Sequence, residues 1–121
     1  MYLYLAIFIG GGVGSLCRFG IGKIMNQTFG NNFPYGTLIA NLLASFVLAF
    51  VLYFGVQRWG LNNTSKAMLT TGFCGGFSTF STFSYETFEL LRNGNTTLAI
   101  VNVVVSVLLG VGIIFLVSKF N

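Results

Sequence analysis

The sequence predicts an all-α integral membrane protein, a single domain over residues 1–121 with four transmembrane helices. The chain is 55% hydrophobic and only 7% charged. Its eight charged residues leave four charge-free runs, at residues 1–17, 24–57, 67–85 and 93–118. A spanning helix needs about 20 mostly apolar residues, so each run provides the apolar part of one span.

The first predicted span covers residues 2–25. It has neither the basic start nor the small-residue cleavage site of a secretory signal peptide, so we expect it to remain as a span. Residues 10–15, GGGVGS, resemble a dinucleotide-binding turn only superficially, because serine replaces the third glycine. Close helix packing or a flexible segment in the first span is the favoured interpretation. The second predicted span, residues 35–57, follows a polar stretch at residues 26–34 that contains turn formers.

The third predicted span, residues 66–91, contains the unusual segment GGFSTFSTFS at residues 75–84. Glycine weakens a helix. The five hydroxyl side chains of this segment cannot all point one way on a helix of about 3.6 residues per turn. We therefore expect this helix to be broken near Gly75 and Gly76. Backbone groups freed in a membrane must be satisfied by protein, water or an ion, and freed carbonyls suit a hard cation such as sodium. The fourth predicted span is residues 97–119.

The positive charges indicate no preferred orientation in the membrane. With four spans, each side receives three lysines or arginines: Arg58, Lys66 and Lys119 on one side, and Arg18, Lys23 and Arg92 on the other. Positive residues normally set the orientation of a membrane protein. Because they are balanced here, insertion in both orientations and insertion in a single orientation are equally expected. Insertion in both orientations would make an antiparallel homodimer plausible. Four short helices are also too few to surround an aqueous path, so transport would require an oligomer.

Small residues four positions apart predict close helix contacts. Three such pairs occur in the predicted spans: Gly10 with Gly14, Gly72 with Gly76, and Ser106 with Gly110.

Polar residues inside the apolar runs have two interpretations each. Asn41 is either an interhelical hydrogen-bonding residue or a donor to a permeating anion, and the sequence favours neither. Arg18 either extends to the membrane interface or raises the anion concentration at a pore mouth. Asn102 and Ser106 lie one turn apart and either pack or line a path. Phenylalanine rings in residues 75–84 are ordinarily packing residues, although their positive edges can contact an anion.

Several function classes are excluded or disfavoured. The chain has no histidine, and its only carboxylates are Glu86 and Glu89, so no hydroxyl has an evident activating base and an enzyme is not expected. Cys17 and Cys74 match no metal or redox spacing. The net charge of +4 forms no basic cluster that would indicate a nucleic-acid partner.

The chain resembles the fluoride-channel family, the small Fluc (CrcB-type) exporters of bacteria, over its whole length. The resemblance rests on Gly11, Gly12, Gly14 and Arg18, on the segment PYGTL at residues 34–38 followed by Asn41, and on TGFCGGFSTFSTFS at residues 71–84 followed by Glu86. Position 78 is often threonine in that family and is serine here.

The resemblance implies a channel that exports cytoplasmic fluoride passively across the bacterial inner (plasma) membrane, as a dual-topology antiparallel homodimer with two pores. Backbone carbonyls of Gly75 and Ser78 from each subunit are implied to hold a structural sodium ion at the dimer interface. The implied fluoride pathway comprises Asn41, Phe80, Ser81, Thr82, Phe83, Asn102 and Ser106, with the two phenylalanines meeting the ion edge-on. Arg18 is expected at a vestibule and Glu86 at one pore end.

Two alternatives come from other classes. A dual-topology proton-coupled small multidrug exporter also has four spans, but it couples through a carboxylate in the first span, and the first span here has none. A structural subunit of a larger complex, without a path of its own, is the other alternative.

Overall fold

A computed structural model describes residues 2–30 and 32–120, and these residues form helices joined by short turns, with no β-strand. Helix α1 is Tyr2–Phe29 and α2 is Tyr35–Val56, whose last turn, Val51–Val56, is π-helical. Helix α3 joins Asn63–Ala67, the π-helical Met68–Cys74 and Gly75–Phe77. Helix α4 is Phe80–Arg92 and α5 is Thr96–Lys119. The all-helical prediction is therefore confirmed for the described residues.

The helix ends follow from local chemistry. Helix α1 continues through residues 26–29, which the sequence had suggested as the start of a loop, and ends at Gly30, whose φ of +78° suits glycine and whose N–H donates to the Asn26 carbonyl at 3.0 Å. Asn62 caps the start of α3, because its side chain accepts a hydrogen bond from the Ser65 N–H at 2.8 Å. Gly94, with φ +83°, permits the tight turn between α4 and α5.

Within the described residues, three helices, α1, α2 and α5, are long and apolar enough to cross a membrane. Helices α3 and α4 are each shorter than a span because the chain leaves helical geometry between them, at Ser78 and Thr79. The fourth span over residues 66–91 stays a prediction. Gly75 and Gly76 themselves lie inside helix, so the interruption falls two residues beyond the glycine pair.

Two of the predicted small-residue pairs pack against each other. A Cβ on Gly10 would collide with the Met68 carbonyl, and one on Gly76 would collide with the Gly11 carbonyl. Gly14 and Gly72 also lie close against backbone of the opposite helix. Glycine therefore allows α1 and α3 to approach backbone to backbone, and the predicted close helix packing is confirmed for these pairs.

The buried core is small and lies between α2 and the end of α3. Ala40 and Ala44 pack on Phe77, with Ile21 and Phe73 beside them. Many large apolar side chains face outward instead, among them Phe8, Phe19, Leu108 and Val111. Such a surface suits lipid or another protein surface, as expected for a helical membrane protein.

Candidate functional site

The break between α3 and α4 is built by its own hydroxyl side chains. Ser78 and Thr79 have extended backbone, with ψ of 160° and 123°. The Ser78 N–H and Oγ both donate to the Cys74 carbonyl, at 2.9 and 2.7 Å, which completes the last turn of α3. Thr79 Oγ1 accepts from the Thr82 N–H at 3.2 Å and so caps α4. Serine and threonine end one helix and begin the next here because they offer the backbone alternative partners.

Asn41 of α2 pairs with the backbone of Thr79. Its Oδ1 accepts from the Thr79 N–H at 2.8 Å, and its Nδ2 donates to the Thr79 carbonyl at 3.3 Å. One side chain thus satisfies both polar groups of an extended residue inside an otherwise apolar region. Of the two interpretations of Asn41, the structure shows the interhelical hydrogen bond. Its Nδ2 carries a second hydrogen, so the other interpretation does not conflict with this contact.

The carbonyls of Gly75 and Ser78 lose their usual helical donors at the break. In an uninterrupted helix, the Gly75 carbonyl would accept from the Thr79 N–H and the Ser78 carbonyl from the Thr82 N–H. The first of these N–H groups donates to Asn41 Oδ1 and the second to Thr79 Oγ1. Two backbone oxygens on neighbouring turns are therefore released, and oxygen ligands of this kind suit a hard cation.

An open cavity of about 300 Å³ lies beside the break. Four residues of the predicted pathway line it, Asn41, Phe80, Phe83 and Ser106. The rings of Phe80 and Phe83 lie 6.0 Å apart between centroids and are tilted by 41°. Phe80 is 78% exposed in the single chain, so one side of this cavity has no wall within the described residues.

The other predicted pathway residues lie elsewhere. Ser81 is exposed, with its hydroxyl 3.3 Å from Thr79 Oγ1. Asn102 is only 1% exposed and lines none of the cavities described here. Its amide donates to Thr87 Oγ1 at 3.0 Å, and Thr87 in turn donates to the Phe83 carbonyl at 2.8 Å. Asn102 therefore joins α5 to α4 behind one of the two rings, through a threonine that sequence reasoning had not identified.

A second cavity, of about 390 Å³, contains the charged residues near the break. Arg18, Lys23 and Glu86 line it together with Thr37 and Thr82. The Arg18 Nε donates to the Gly76 carbonyl at 3.1 Å, so Arg18 contacts the last turn of α3 as well as this cavity, and its vestibule role stays a prediction. Thr82 belongs to this cavity and not to the one between the rings.

Glu86 lies between this cavity and a larger one of about 730 Å³. Its Oε1 is buried and has no hydrogen-bond partner among residues 2–30 and 32–120. The larger cavity is also lined by Glu89, by apolar residues such as Phe33 and Leu90, and by four asparagines: Asn26, Asn32, Asn93 and Asn95. Glu89 forms an exposed ion pair with Arg92, 3.3 Å between Oε2 and the guanidinium, which contributes little to stability.

The family model described as "CrcB-like protein, Camphor Resistance (CrcB)" matches residues 5–118. The protein of Clostridium perfringens is 43% identical over 117 residues, which cover 97% of this chain and 90% of that protein. The Citrifermentans bemidjiense protein is 45% identical over 105 residues, covering 87% and 83%, and the Pyrococcus abyssi protein is 47% identical over 115 residues, covering 93% and 89%.

All three relatives carry the name "Fluoride-specific ion channel FluC", which describes a channel and not an enzyme. The family match, together with several long apolar helices, fits a multi-pass bacterial membrane protein. The resemblance found in the sequence motifs is thus confirmed over nearly the whole chain, and the chain belongs to the CrcB-like family.

Proposed function

We propose that this chain is the subunit of a fluoride-selective channel that exports cytoplasmic fluoride passively, and that it thereby lowers fluoride toxicity. The observation that carries the proposal is the cavity beside the break, where the Asn41 amide, the Ser106 hydroxyl and the rings of Phe80 and Phe83 come together. The name shared by the relatives supports fluoride as the ion.

Fluoride is small and strongly hydrated, so a dry path must replace its water with close hydrogen-bond donors. One hydrogen of Asn41 Nδ2 bonds the Thr79 carbonyl, and the second is left for an anion. The Ser106 hydroxyl donates to Asn102 Oδ1 across 3.5 Å, a long bond that an anion could displace. The positive edges of Phe80 and Phe83 would provide weaker contacts along the same wall.

A second copy of the chain would supply the missing wall of this cavity. The exposed ring of Phe80 and the outward-facing apolar surface both suit a protein partner. The equal numbers of positive residues on the two sides support an antiparallel arrangement, in which each copy inserts with opposite orientation. Two equivalent cavities in such a homodimer would give two pores.

The freed carbonyls fit a structural sodium ion. Gly75 is exposed, and a Cβ there would meet nothing within 4 Å, so its backbone is accessible from outside the chain. Gly75 and Ser78 would each contribute one carbonyl oxygen per chain, and two copies would provide four. When bound, the ion would neutralise the partial negative charge of these oxygens between the two subunits.

We further propose that α3 and α4 together cross the membrane as the fourth span, with the break inside the bilayer. Hydrogen fluoride that enters from an acidic exterior would dissociate in the cytoplasm, and the trapped anion would leave down its electrochemical gradient. The proton-coupled exporter is not favoured, because α1 contains no carboxylate and Glu86 and Glu89 both lie on α4.

The proposal is tested by reconstituting the purified chain alone in liposomes loaded with fluoride. A fluoride electrode records efflux after a potassium ionophore is added. The ionophore lets potassium leave with fluoride, so that no opposing membrane potential builds up. Matched liposomes contain chloride, and each set is prepared with sodium and with a large organic cation in its place.

We expect fluoride efflux that needs no partner protein and no proton gradient. Chloride efflux at a similar rate would contradict fluoride selectivity, and efflux that depends on a proton gradient would favour the exporter. Absence of efflux from a well-folded dimer would support the structural-subunit alternative. Fluoride flux that is equal in the two cation conditions after exhaustive removal of sodium would count against the sodium site only.

A further inference from the structure

We propose that Arg18 is a positioning residue: it caps the end of α3 at the break and so fixes the backbone beside the fluoride path. This inference rests on the proposed function for its consequence in transport, but the contact itself is independent of it. It goes beyond the vestibule role expected for Arg18, in which only the charge matters.

Arg18 donates a hydrogen bond to a carbonyl in the last turn of α3. In a continuous helix the Gly76 carbonyl would accept from the Phe80 N–H, but Phe80 begins α4 on the other side of the extended residues. Arg18 Nε donates to this carbonyl at 3.1 Å, across 58 positions of sequence. A cationic donor at the C-terminal end of a helix is also favoured by the helix dipole. Arg18 therefore takes the place of the helical donor that the break removes.

Close glycine contacts between α1 and α3 bring Arg18 to this carbonyl. Gly14 lies one turn before Arg18 on α1, and a Cβ there would collide with the Phe73 carbonyl of α3. Gly76 in turn touches the backbone at Gly11. The glycine contacts therefore hold α1 and α3 close together up to the turn of α1 that carries Arg18. From this turn, an arginine side chain reaches the last turn of α3. A side chain one turn away on α1 would not be aligned with the break.

The positive charge of the Arg18 guanidinium stays unpaired in the described part of the chain. Within residues 2–30 and 32–120, Arg18 forms no ion pair with a carboxylate, although Glu86 lines the same cavity. Only Nε contacts the backbone, and no hydrogen bond engages the two terminal nitrogens of the guanidinium within the described chain. The planar fork can therefore hold the carbonyl through one nitrogen while its other nitrogens face the cavity. Lysine has a carbon at the position of Nε, and its single charged nitrogen lies one bond further along the side chain, so it would not reproduce this contact.

The chain provides a matched control in Lys23. It lines the same cavity and carries the same charge, but it is exposed and makes no hydrogen bond or ion pair with the described residues. A purely electrostatic role predicts that Arg18 and Lys23 behave alike, and that lysine can replace arginine at position 18. A positioning role predicts the opposite on both points.

The experiment compares Arg18→Lys, Arg18→Gln and Lys23→Gln with the wild-type chain. Amide hydrogen exchange of residues 77–82 is measured by mass spectrometry on purified, monodisperse protein. Fluoride efflux is then recorded over a range of fluoride concentrations, at low and high ionic strength.

Both Arg18 variants should exchange about tenfold faster at residues 77–82, since a charged hydrogen bond is lost there, and Lys23→Gln should exchange like the wild type. In flux, the Arg18 variants should lower the maximal rate, whereas Lys23→Gln should raise only the fluoride concentration needed for half-maximal rate. That second effect should fade at high salt, because exposed charges are screened.

Wild-type exchange in both Arg18 variants would overturn the proposal, and so would full recovery of exchange and maximal rate in Arg18→Lys. If Arg18→Gln does not purify as a folded protein, Arg18→Lys decides alone. If the wild-type chain conducts no fluoride, the proposed function fails, but the exchange comparison still decides whether Arg18 holds the break.

Discussion

Replacing Asn41 with leucine removes both hydrogen bonds between α2 and the Thr79 backbone. Leucine is similar in size and suits the apolar face of α2, so packing should change little. The Thr79 N–H and C=O then lack a partner, and an unsatisfied buried polar group costs about 1–3 kcal/mol. Two such groups predict a loss of about 2–6 kcal/mol in the free energy of unfolding, and partial access of water to the break places the expected value near the lower limit.

The loss is measured by denaturant titration in mild detergent at one fixed protein concentration, because the stability of an oligomer depends on concentration. Ser45→Ala is the matched control. Ser45 lies one turn later on α2 and lines the same cavity, but it has no hydrogen bond to Thr79. Its replacement should change the free energy of unfolding by less than about 0.5 kcal/mol. An Asn41→Leu variant that is no less stable than Ser45→Ala would show that the Thr79 contacts do not hold the break.

The remaining predictions concern the break and its surroundings. Gly76→Ala should destabilise the protein by about 1–3 kcal/mol in the same titration, because the new methyl group meets the Gly11 backbone. Gly12→Ala is the control and should not destabilise the protein, because position 12 faces open space. Equal effects of the two changes would contradict the close contact of α1 and α3. Phe80→Ile and Phe83→Ile should each sharply reduce fluoride efflux from liposomes while size-exclusion chromatography still shows a dimer, and unchanged efflux would contradict the edge-contact role. Ser78→Ala should leave sodium dependence of efflux largely intact, because the proposed ligand is the backbone carbonyl; loss of that dependence would implicate the hydroxyl.

Charge spacing was sufficient to predict the three long apolar helices α1, α2 and α5, because long charge-free runs have few other stable structures in a membrane. The position of the break was less predictable. Glycine at positions 75 and 76 suggested that the helix would end there, but Gly76 instead provides the contact with α1. The helix ends at Phe77, where Ser78 and Thr79 offer competing hydrogen bonds. At Gly76, packing against the neighbouring helix outweighed a propensity cost of about 1 kcal/mol.

The roles of the two asparagines depended on helix register, which the sequence does not contain. Asn41 and Asn102 have similar apolar surroundings in the sequence, and each was open to packing or path-lining interpretations. In the structure Asn41 faces the break and lines the open cavity, whereas Asn102 is buried against Thr87. If α2 or α5 were rotated about its axis by one residue, its asparagine would change between facing a cavity and packing on a neighbouring helix. Only the packed structure therefore distinguishes the two roles.

The two helices that flank the break have different neighbours. Helix α3 is held by α1 through backbone contacts at glycine, whereas α4 packs mainly on α5. Ser78 and Thr79 are thus the joint between two separately anchored bodies, and a shift of α5 relative to α1 would be absorbed by the dihedral angles of these two residues. Asn41 contacts the joint at Thr79, and Arg18 contacts the last turn of α3 before it at Gly76. These two side chains then limit how independently the released carbonyls and the aromatic rings can move.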